Sequence, residues 1–127
     1  MVNEAAVDPV IIEEVPQELD SIKYNIPWLD SFSINNTLIN RVELPSGYFR
    51  KNDKEGDFAH WLRRLPLKEG NPDVQLYNGG LKGYQNGHAY VINMDVGSKD
   101  LQQCADATMR LRAEYLYGNN KHDSIHF

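Results

Sequence analysis

The segment 100–118, DLQQCADATMRLRAEYLYG, decides the fold because it carries the long helical pattern of this chain. Its apolar stripe consists of Leu101, Cys104, Thr108, Leu111 and Tyr115. These positions recur at alternating spacings of three and four, which is typical of the inward face of an amphipathic helix. Asp100 is the favoured N-cap, since Gln103 follows it at capping-box spacing, and Gly118 is a C-terminal stop signal. We predict a helix over residues 101–117.

The only cysteine of the chain, Cys104, lies on this stripe one turn from the helix start. Free cysteines are among the most frequently buried residues, so packing in the core is the favoured interpretation. The N-terminus of a helix also stabilises a thiolate, so a nucleophilic role for this thiol is the open alternative.

A second, shorter helix is indicated by GDFAHWLRRLP at residues 56–66. Its apolar positions are Phe58, Trp61, Leu62 and Leu65, at the spacing of one helix face. Asp57 can cap the start and Pro66 prevents continuation. We predict a helix over residues 58–65 with Trp61 as its core anchor.

Two strand-like runs, 74–77 and 88–96, flank a loop with the turn signals NGG and NG, which predicts a β-hairpin. In the second run the alternation predicts that Tyr90, Ile92, Met94 and Val96 form the buried face and that Asp95 points away from the core. The closing DSIHF also alternates like a strand, with His126 on its polar face. The predicted fold class is therefore α+β, an antiparallel sheet packed against one long helix, with the short helix at one edge.

Residues 1–30 contain seven acidic residues, one lysine and three prolines. This composition predicts a mobile leader. Residues 31–127 are predicted to form a single α+β domain. Because the last predicted strand has no turn or polar tail after it, we expect this domain to be incomplete at its C-terminus.

Composition disfavours several classes of function. The chain has 18 acidic and 13 basic residues, a net charge of −5, so its overall field repels nucleic acid and anionic lipid. No apolar run approaches the about 20 residues that span a bilayer, and no signal peptide is visible. The NGGLKG loop lacks the GK[ST] ending of a phosphate-binding loop, and no cofactor is predicted.

A metal site is also not predicted, although HDSIH places His122 and His126 four residues apart. In the strand expected here, that spacing separates the two side chains by about 13 Å, too far to share one zinc ion.

Five stretches carry a family resemblance: LPSGYFR, FAHWLRRLPLK, VQLYNGGLKG, MDVGSKDLQQCADATMRLRAEYLYG and IHF. From about Leu38 to the last residue, the chain resembles an uncharacterised bacterial family, domain of unknown function 4846. Members of that family are typically longer, exported envelope proteins. The resemblance therefore implies a periplasmic or exported location, and it supplies no catalytic residues.

Two functional hypotheses follow. The first is a non-catalytic or binding domain of the bacterial envelope, with Cys104 in the core and a cell-envelope peptide or protein as ligand. The alternative is a hydrolase of cell-envelope peptides, because a cysteine at a helix start followed by a strand resembles papain-like enzymes. In that case Cys104 is the nucleophile, His126 or His88 the base, and Asp95 or Asp106 orients the imidazole.

Overall fold

The computed structural model describes residues 25–127, so most of the predicted acidic leader lies outside the described residues. Three α-helices occur in this range: α1 at Leu38–Arg41, α2 at Phe58–Arg63 and α3 at Cys104–Gly118. Two 3-10 turns, Ile34–Asn36 and His122–Ser124, lie before α1 and after α3. No helix among the described residues is both long and apolar enough to span a membrane.

The core is built around Trp61, whose side chain is only 4% exposed. Its ring stacks on Phe58 at 6.0 Å between ring centroids and meets the edge of Tyr115 of α3 at 5.8 Å. The other buried members of this core are Ile26, Phe32, Leu65 and Leu116. The prediction of Trp61 as the anchor is confirmed, and its ring joins α2 to the C-terminal half of α3.

The short helix α2 begins as predicted and ends two residues earlier than predicted. Asp57 occupies the N-cap position and Arg64 the C-cap. After the helix, Leu65, Pro66 and Leu67 continue through the core with almost no exposure. Proline cannot extend a helix, and burial of these three residues holds the chain in an extended path directly after α2.

The predicted antiparallel sheet is wrong, because the described residues contain no β-strand. The runs 74–77 and 88–96 do not pair with each other as a hairpin. Antiparallel pairing is limited to isolated bridges, in which Gln75 faces Leu81, Leu67 faces Ile92, and Thr37 faces Pro66. The α+β class is thereby contradicted for the described part of the chain.

The run 74–77 turns back on residues 80–82 instead, and one side chain closes this loop. The Val74 N–H donates to Gln85 Oε1 at 2.8 Å, and Gln85 Nε2 donates to the Val74 carbonyl at 3.0 Å. The Val74 carbonyl also accepts the Lys82 N–H at 3.0 Å, so both backbone groups of Val74 are used within the loop. Gly79, with φ of 83°, turns the chain so that the Leu76 N–H reaches the Gly80 carbonyl at 2.7 Å.

The second run pairs instead with the extended segment after α2. The Lys68 N–H donates to the Val91 carbonyl at 2.8 Å, and the Asn93 N–H donates to the Pro66 carbonyl at 2.9 Å. Pro66 has no N–H of its own, so this short ladder cannot be extended past it. The predicted alternation is not seen, since Val91 and Asn93 are as half-buried as Ile92.

The long helix α3 starts three residues later than predicted, with Gln103 as its N-cap instead of Asp100. Local hydrogen bonds hold the preceding residues in a loop. Asp95 Oδ1 accepts the Gly97 N–H at 2.7 Å, and the Gln102 side chain donates to the Val96 carbonyl at 3.3 Å. Such side-chain bonds compete with helix formation.

The apolar stripe of α3 is buried only near its C-terminal end. Tyr115 is 5% exposed and Leu111 is half-buried, whereas Leu101 is 66% exposed and Cys104 is also exposed. The prediction of a buried core cysteine is therefore wrong. The predicted sheet, which would have covered this stripe, is not formed by the described residues.

The predicted C-terminal strand is also wrong. The residues His122–Ser124 form a 3-10 turn, and the Tyr117 ring lies against the His122 ring at 4.8 Å between centroids. Ile125 is half-buried and packs against the core. The chain end is thus folded back on α3.

We expect Trp61→Ala to lower the free energy of unfolding by about 3–5 kcal/mol, because it leaves a cavity among the core rings. Urea denaturation measures this loss. The matched control is Phe127→Ala, which removes a ring that is 73% exposed and should change stability little. Equal losses in both variants would contradict the assignment of Trp61 as the core anchor.

Candidate functional site

The residues predicted for a cysteine hydrolase are not brought together by hydrogen bonds. Cys104 is exposed at the first position of α3, and its sulfur makes no hydrogen bond to another described residue. His88 Nε2 lies 2.9 Å from the Pro72 carbonyl, and His126 is exposed. The Asp95 carboxylate is engaged by Gly97 in the loop described above.

Asp106, the other residue considered for orienting an imidazole, serves the helix itself. Its Oδ2 accepts the Gln103 N–H at 3.2 Å, which caps the N-terminus of α3. Among the described residues, no three His, Cys, Asp or Glu side chains are grouped so that they could hold a metal ion.

A cavity of about 560 Å³, here called the groove, lies between three parts of the fold. One wall is the loop 73–79, and another is the extended segment 90–97. The third wall consists of Ala107 and Leu111 of α3 and of Gln102, which precedes that helix. Of the five predicted site residues, Cys104, His88, His126, Asp95 and Asp106, only Asp95 belongs to its lining.

One wall of the groove contains an unpaired backbone edge. Val91 and Asn93 use their backbone groups to pair with residues 66–68. In an extended chain, successive residues direct these groups to opposite sides, so those of Tyr90 and Ile92 belong to the other edge. The Ile92 N–H and both backbone groups of Tyr90 make no hydrogen bond within the described residues, whereas the Ile92 carbonyl accepts the Met94 N–H at 2.9 Å. Tyr90 and Ile92 both line the groove.

Arg41 of α1 holds the end of this edge in place. The Tyr90 hydroxyl donates to the Arg41 carbonyl at 3.0 Å, and the Arg41 guanidinium lies 4.6 Å above the Tyr90 ring centre. The same guanidinium donates to the carbonyls of Lys68 at 2.9 Å and Gly70 at 2.7 Å. One side chain thus fastens the paired segment and the edge to α1.

The other end of the edge is fixed by two donors from elsewhere in the fold. Trp28 Nε1 donates to the Asn93 carbonyl at 2.6 Å, and the Arg110 guanidinium of α3 donates to the Asp95 carbonyl. The wall is therefore preorganised before any ligand binds, which lowers the entropic cost of binding.

A second polar cluster, centred on Asp53, was missed by the sequence analysis. The Asp53 carboxylate lies 3.2 Å from His60 Nδ1, 3.1 Å from an Arg63 nitrogen and 3.5 Å from an Arg64 nitrogen. The hydrogen bond with His60, together with attraction to the Arg63 and Arg64 guanidinium groups, holds the pKa of Asp53 below its usual value despite some desolvation. The cluster fastens the loop before α2 onto that helix.

No sequence motif points to this cluster, because Asp53 precedes the helix and its partners lie within or directly after it. The only sequence feature that indicates such a cluster is the concentration of positive charge in LRRLPLK, which favours a carboxylate nearby in the fold. His60 could not be selected over the other histidines from its local sequence.

Comparison with known protein families settles the relationship of the chain. The family model described as Domain of unknown function (4846) matches residues 38–127, which include the groove and the Asp53 cluster. The chain belongs to this family. The resemblance inferred from the sequence is confirmed. Neither a curated protein nor a solved structure matched the chain.

Stability should fall with acidification through Asp53. Since the folded-state pKa is lowered, ionised Asp53 stabilises the fold above its unfolded-state pKa of about 3.9, and this contribution is lost as the pH falls through the folded-state pKa. We expect Asp53→Asn to be less stable than the wild type at neutral pH and to lose less stability between about pH 5 and pH 2.

Urea denaturation at a series of pH values measures this effect. Asp73→Asn is the control, because Asp73 is exposed and forms no ion pair within the described residues. An Asp53→Asn curve parallel to that of the wild type over the acid range would contradict the stabilising role of the cluster.

Proposed function

We propose that this chain is a non-catalytic binding domain of the bacterial cell envelope that takes an extended peptide in the groove. The observation that carries the proposal is the set of three unpaired backbone groups in the groove wall, the N–H and carbonyl of Tyr90 and the N–H of Ile92. An extended peptide can add to such an edge as a strand, with main-chain hydrogen bonds supplying affinity. The envelope location is part of the proposal. It is supported by the resemblance to a family whose members are typically exported envelope proteins.

The side chains of the groove favour an apolar peptide. Its apolar lining includes Val74, Leu76, Ile92, Met94 and Leu111. A bound strand directs alternate side chains to opposite faces, so every second residue of the peptide would contact this lining.

The charges of the groove favour a basic residue in the ligand. Asp73 and Asp95 are exposed carboxylates in the lining, against Lys68 as a single cation. The net charge of −5 on the whole chain acts in the same direction. The proposed ligand is therefore an extended, apolar polypeptide segment with a basic residue.

The lining of the groove supports binding in preference to nucleophilic catalysis. Among the described residues that form it there is no cysteine, histidine or serine. Cys104 lies outside this lining, although it belongs to the same helix.

Filling the groove should abolish peptide binding. Peptides selected from a random library displayed on phage provide the probe, and fluorescence anisotropy gives Kd. We expect Ala107→Phe to weaken peptide binding at least about tenfold, because the new phenylalanine ring enters the groove. A tenfold loss corresponds to roughly 1.4 kcal/mol of binding free energy. The control is Ala105→Phe, on an exposed position of α3 outside the groove lining, which should bind as the wild type does.

The strand-like binding mode has its own readout in the peptide. Methylation of single peptide nitrogens removes one hydrogen-bond donor at a time, and we expect losses at every second position. Losses without this alternation, or equal binding by the two phenylalanine variants, would contradict the proposal.

One observation favours the hydrolase as a second candidate. The Cys104 thiol is exposed at the start of the 15-residue helix α3, where it is accessible to a substrate. A hydrolase also needs an imidazole at the thiol, and neither His88 nor His126 is hydrogen-bonded to it.

Thiol labelling separates the two candidates. For the binding domain, iodoacetamide should label native Cys104 at a rate that His88→Ala and His126→Ala leave unchanged, since the thiol is exposed and has no imidazole partner. Cys104→Ser should also keep the melting temperature and peptide affinity of the wild type. A slower reaction in either histidine variant would favour the hydrolase and identify its base.

A further inference from the structure

An exposed aromatic pair lies at the tip of the loop between α1 and α2. Tyr48 is 73% exposed and the adjacent Phe49 is 87% exposed, the most exposed large apolar side chain among the described residues. Leu44, on the other side of the turn, is 40% exposed. These three residues are called the aromatic tip.

The aromatic tip is built on a hydrogen-bonded turn. The Tyr48 N–H donates to the Pro45 carbonyl at 3.1 Å, and Gly47 has φ of 84°. A positive φ at the third turn position is that of a type II turn, which glycine adopts without strain. The turn places Tyr48 and Phe49 directly after the reversal of the chain.

Two arginines brace the base of this loop. Arg50 donates to the Val42 carbonyl at 2.8 Å, which joins the two sides of the loop. Arg63 of α2 donates to the Lys51 carbonyl at 2.7 Å, which fastens the loop to the helix. The aromatic rings are thus exposed on a braced support, so that docking them needs little further ordering of the backbone.

The segment that contains the aromatic pair is richer in cations than the chain as a whole. Residues 48–54, YFRKNDK, contain three cations and one carboxylate, Asp53, which is already paired with Arg63 and Arg64. Lys51 and Lys54 are exposed and form no ion pair within the described residues. Two exposed carboxylates, Glu43 and Glu55, flank this segment. Fields are screened beyond about 8 Å at physiological salt, so a surface that touches Tyr48 and Phe49 experiences mainly the charges of this loop and less those of the rest of the chain.

We propose that the aromatic tip inserts into the interface of an anionic lipid bilayer, with Lys51 and Lys54 at the level of the headgroups. Aromatic rings next to lysines are the composition that partitions into this interface. A tip of two adjacent rings and one leucine suits a lipid surface better than a protein interface, which needs about 800 Å² on each partner. This contact is independent of peptide binding in the groove.

Sedimentation with lipid vesicles tests the proposal with the full chain. We expect binding to vesicles of phosphatidylcholine with phosphatidylglycerol, weaker binding to phosphatidylcholine alone, and a decrease as salt is raised. The double variant Tyr48→Ser, Phe49→Ser should lose at least about tenfold in the partition coefficient. Lys51→Gln should lose roughly fivefold, the effect of one basic residue near an anionic surface.

Two controls make the result specific to the aromatic tip. Tyr84→Ser removes a ring that is 65% exposed on a different loop and should bind vesicles as the wild type does. Ala107→Phe, which fills the groove, should also retain vesicle binding, so this proposal and the proposed peptide binding can fail separately.

Insertion has a spectroscopic readout. The fluorescence of the Phe49→Trp variant should shift to shorter wavelength when vesicles are added. Lipids brominated in their acyl chains should quench this fluorescence. Both changes should be larger than in the wild type, which contains only Trp28 and Trp61. Failure to bind anionic vesicles, equal losses in the double variant and Tyr84→Ser, or binding without quenching would each overturn the proposal. Binding of the aromatic tip to a protein partner, without binding to vesicles, would also overturn the proposal.

Discussion

The contact between Trp61 and Tyr115 is the constraint on which the rest of the described structure depends. It joins α2 to α3, and it is reinforced where the Tyr115 hydroxyl donates to the Gly56 carbonyl and Arg112 lies 4.9 Å above the Phe58 ring. The segments between the helices are joined by isolated bridges and not by a continuous ladder. Burial of the aromatic rings therefore holds the helices together, as packing against a sheet does in an α+β domain.

The parts of the fold that the sequence predicted are those governed by local rules. The α2 helix and the burial of Trp61 follow from periodicity and from a proline that no helix can pass, and both are present. The start of α3 was misplaced because side chains of Asp95 and Gln102 stabilise a loop that competes with the helix. The predicted strands and hairpin were wrong, since runs 74–77 and 88–96 form only isolated bridges, with Leu81 and Leu67. Pairing is decided by groups that are distant in the sequence.

The sequence predicted less of the candidate site than of the fold. Ile92 and Asp95 were singled out, yet the groove depends on three segments whose proximity no spacing reveals. For Cys104 the pattern was compatible with burial or exposure, and the outcome depended on whether other residues pack over the first turns of α3. The pairing of Asp53 with His60 joins a loop to a helix, which is a tertiary contact without a sequence signature.

The amide of Gln85 has a consequence for behaviour in concentrated solution. The run VQLY at residues 74–77 has the composition of a segment that associates edge to edge with copies of itself. The Val74 N–H is held by Gln85, and the Val74 carbonyl is held by Gln85 together with the Lys82 N–H, so neither group is open to a second copy. A carboxamide can satisfy a donor and an acceptor at once, which a carboxylate cannot. Gln85 therefore helps to close the N-terminal end of this run to edge-to-edge association.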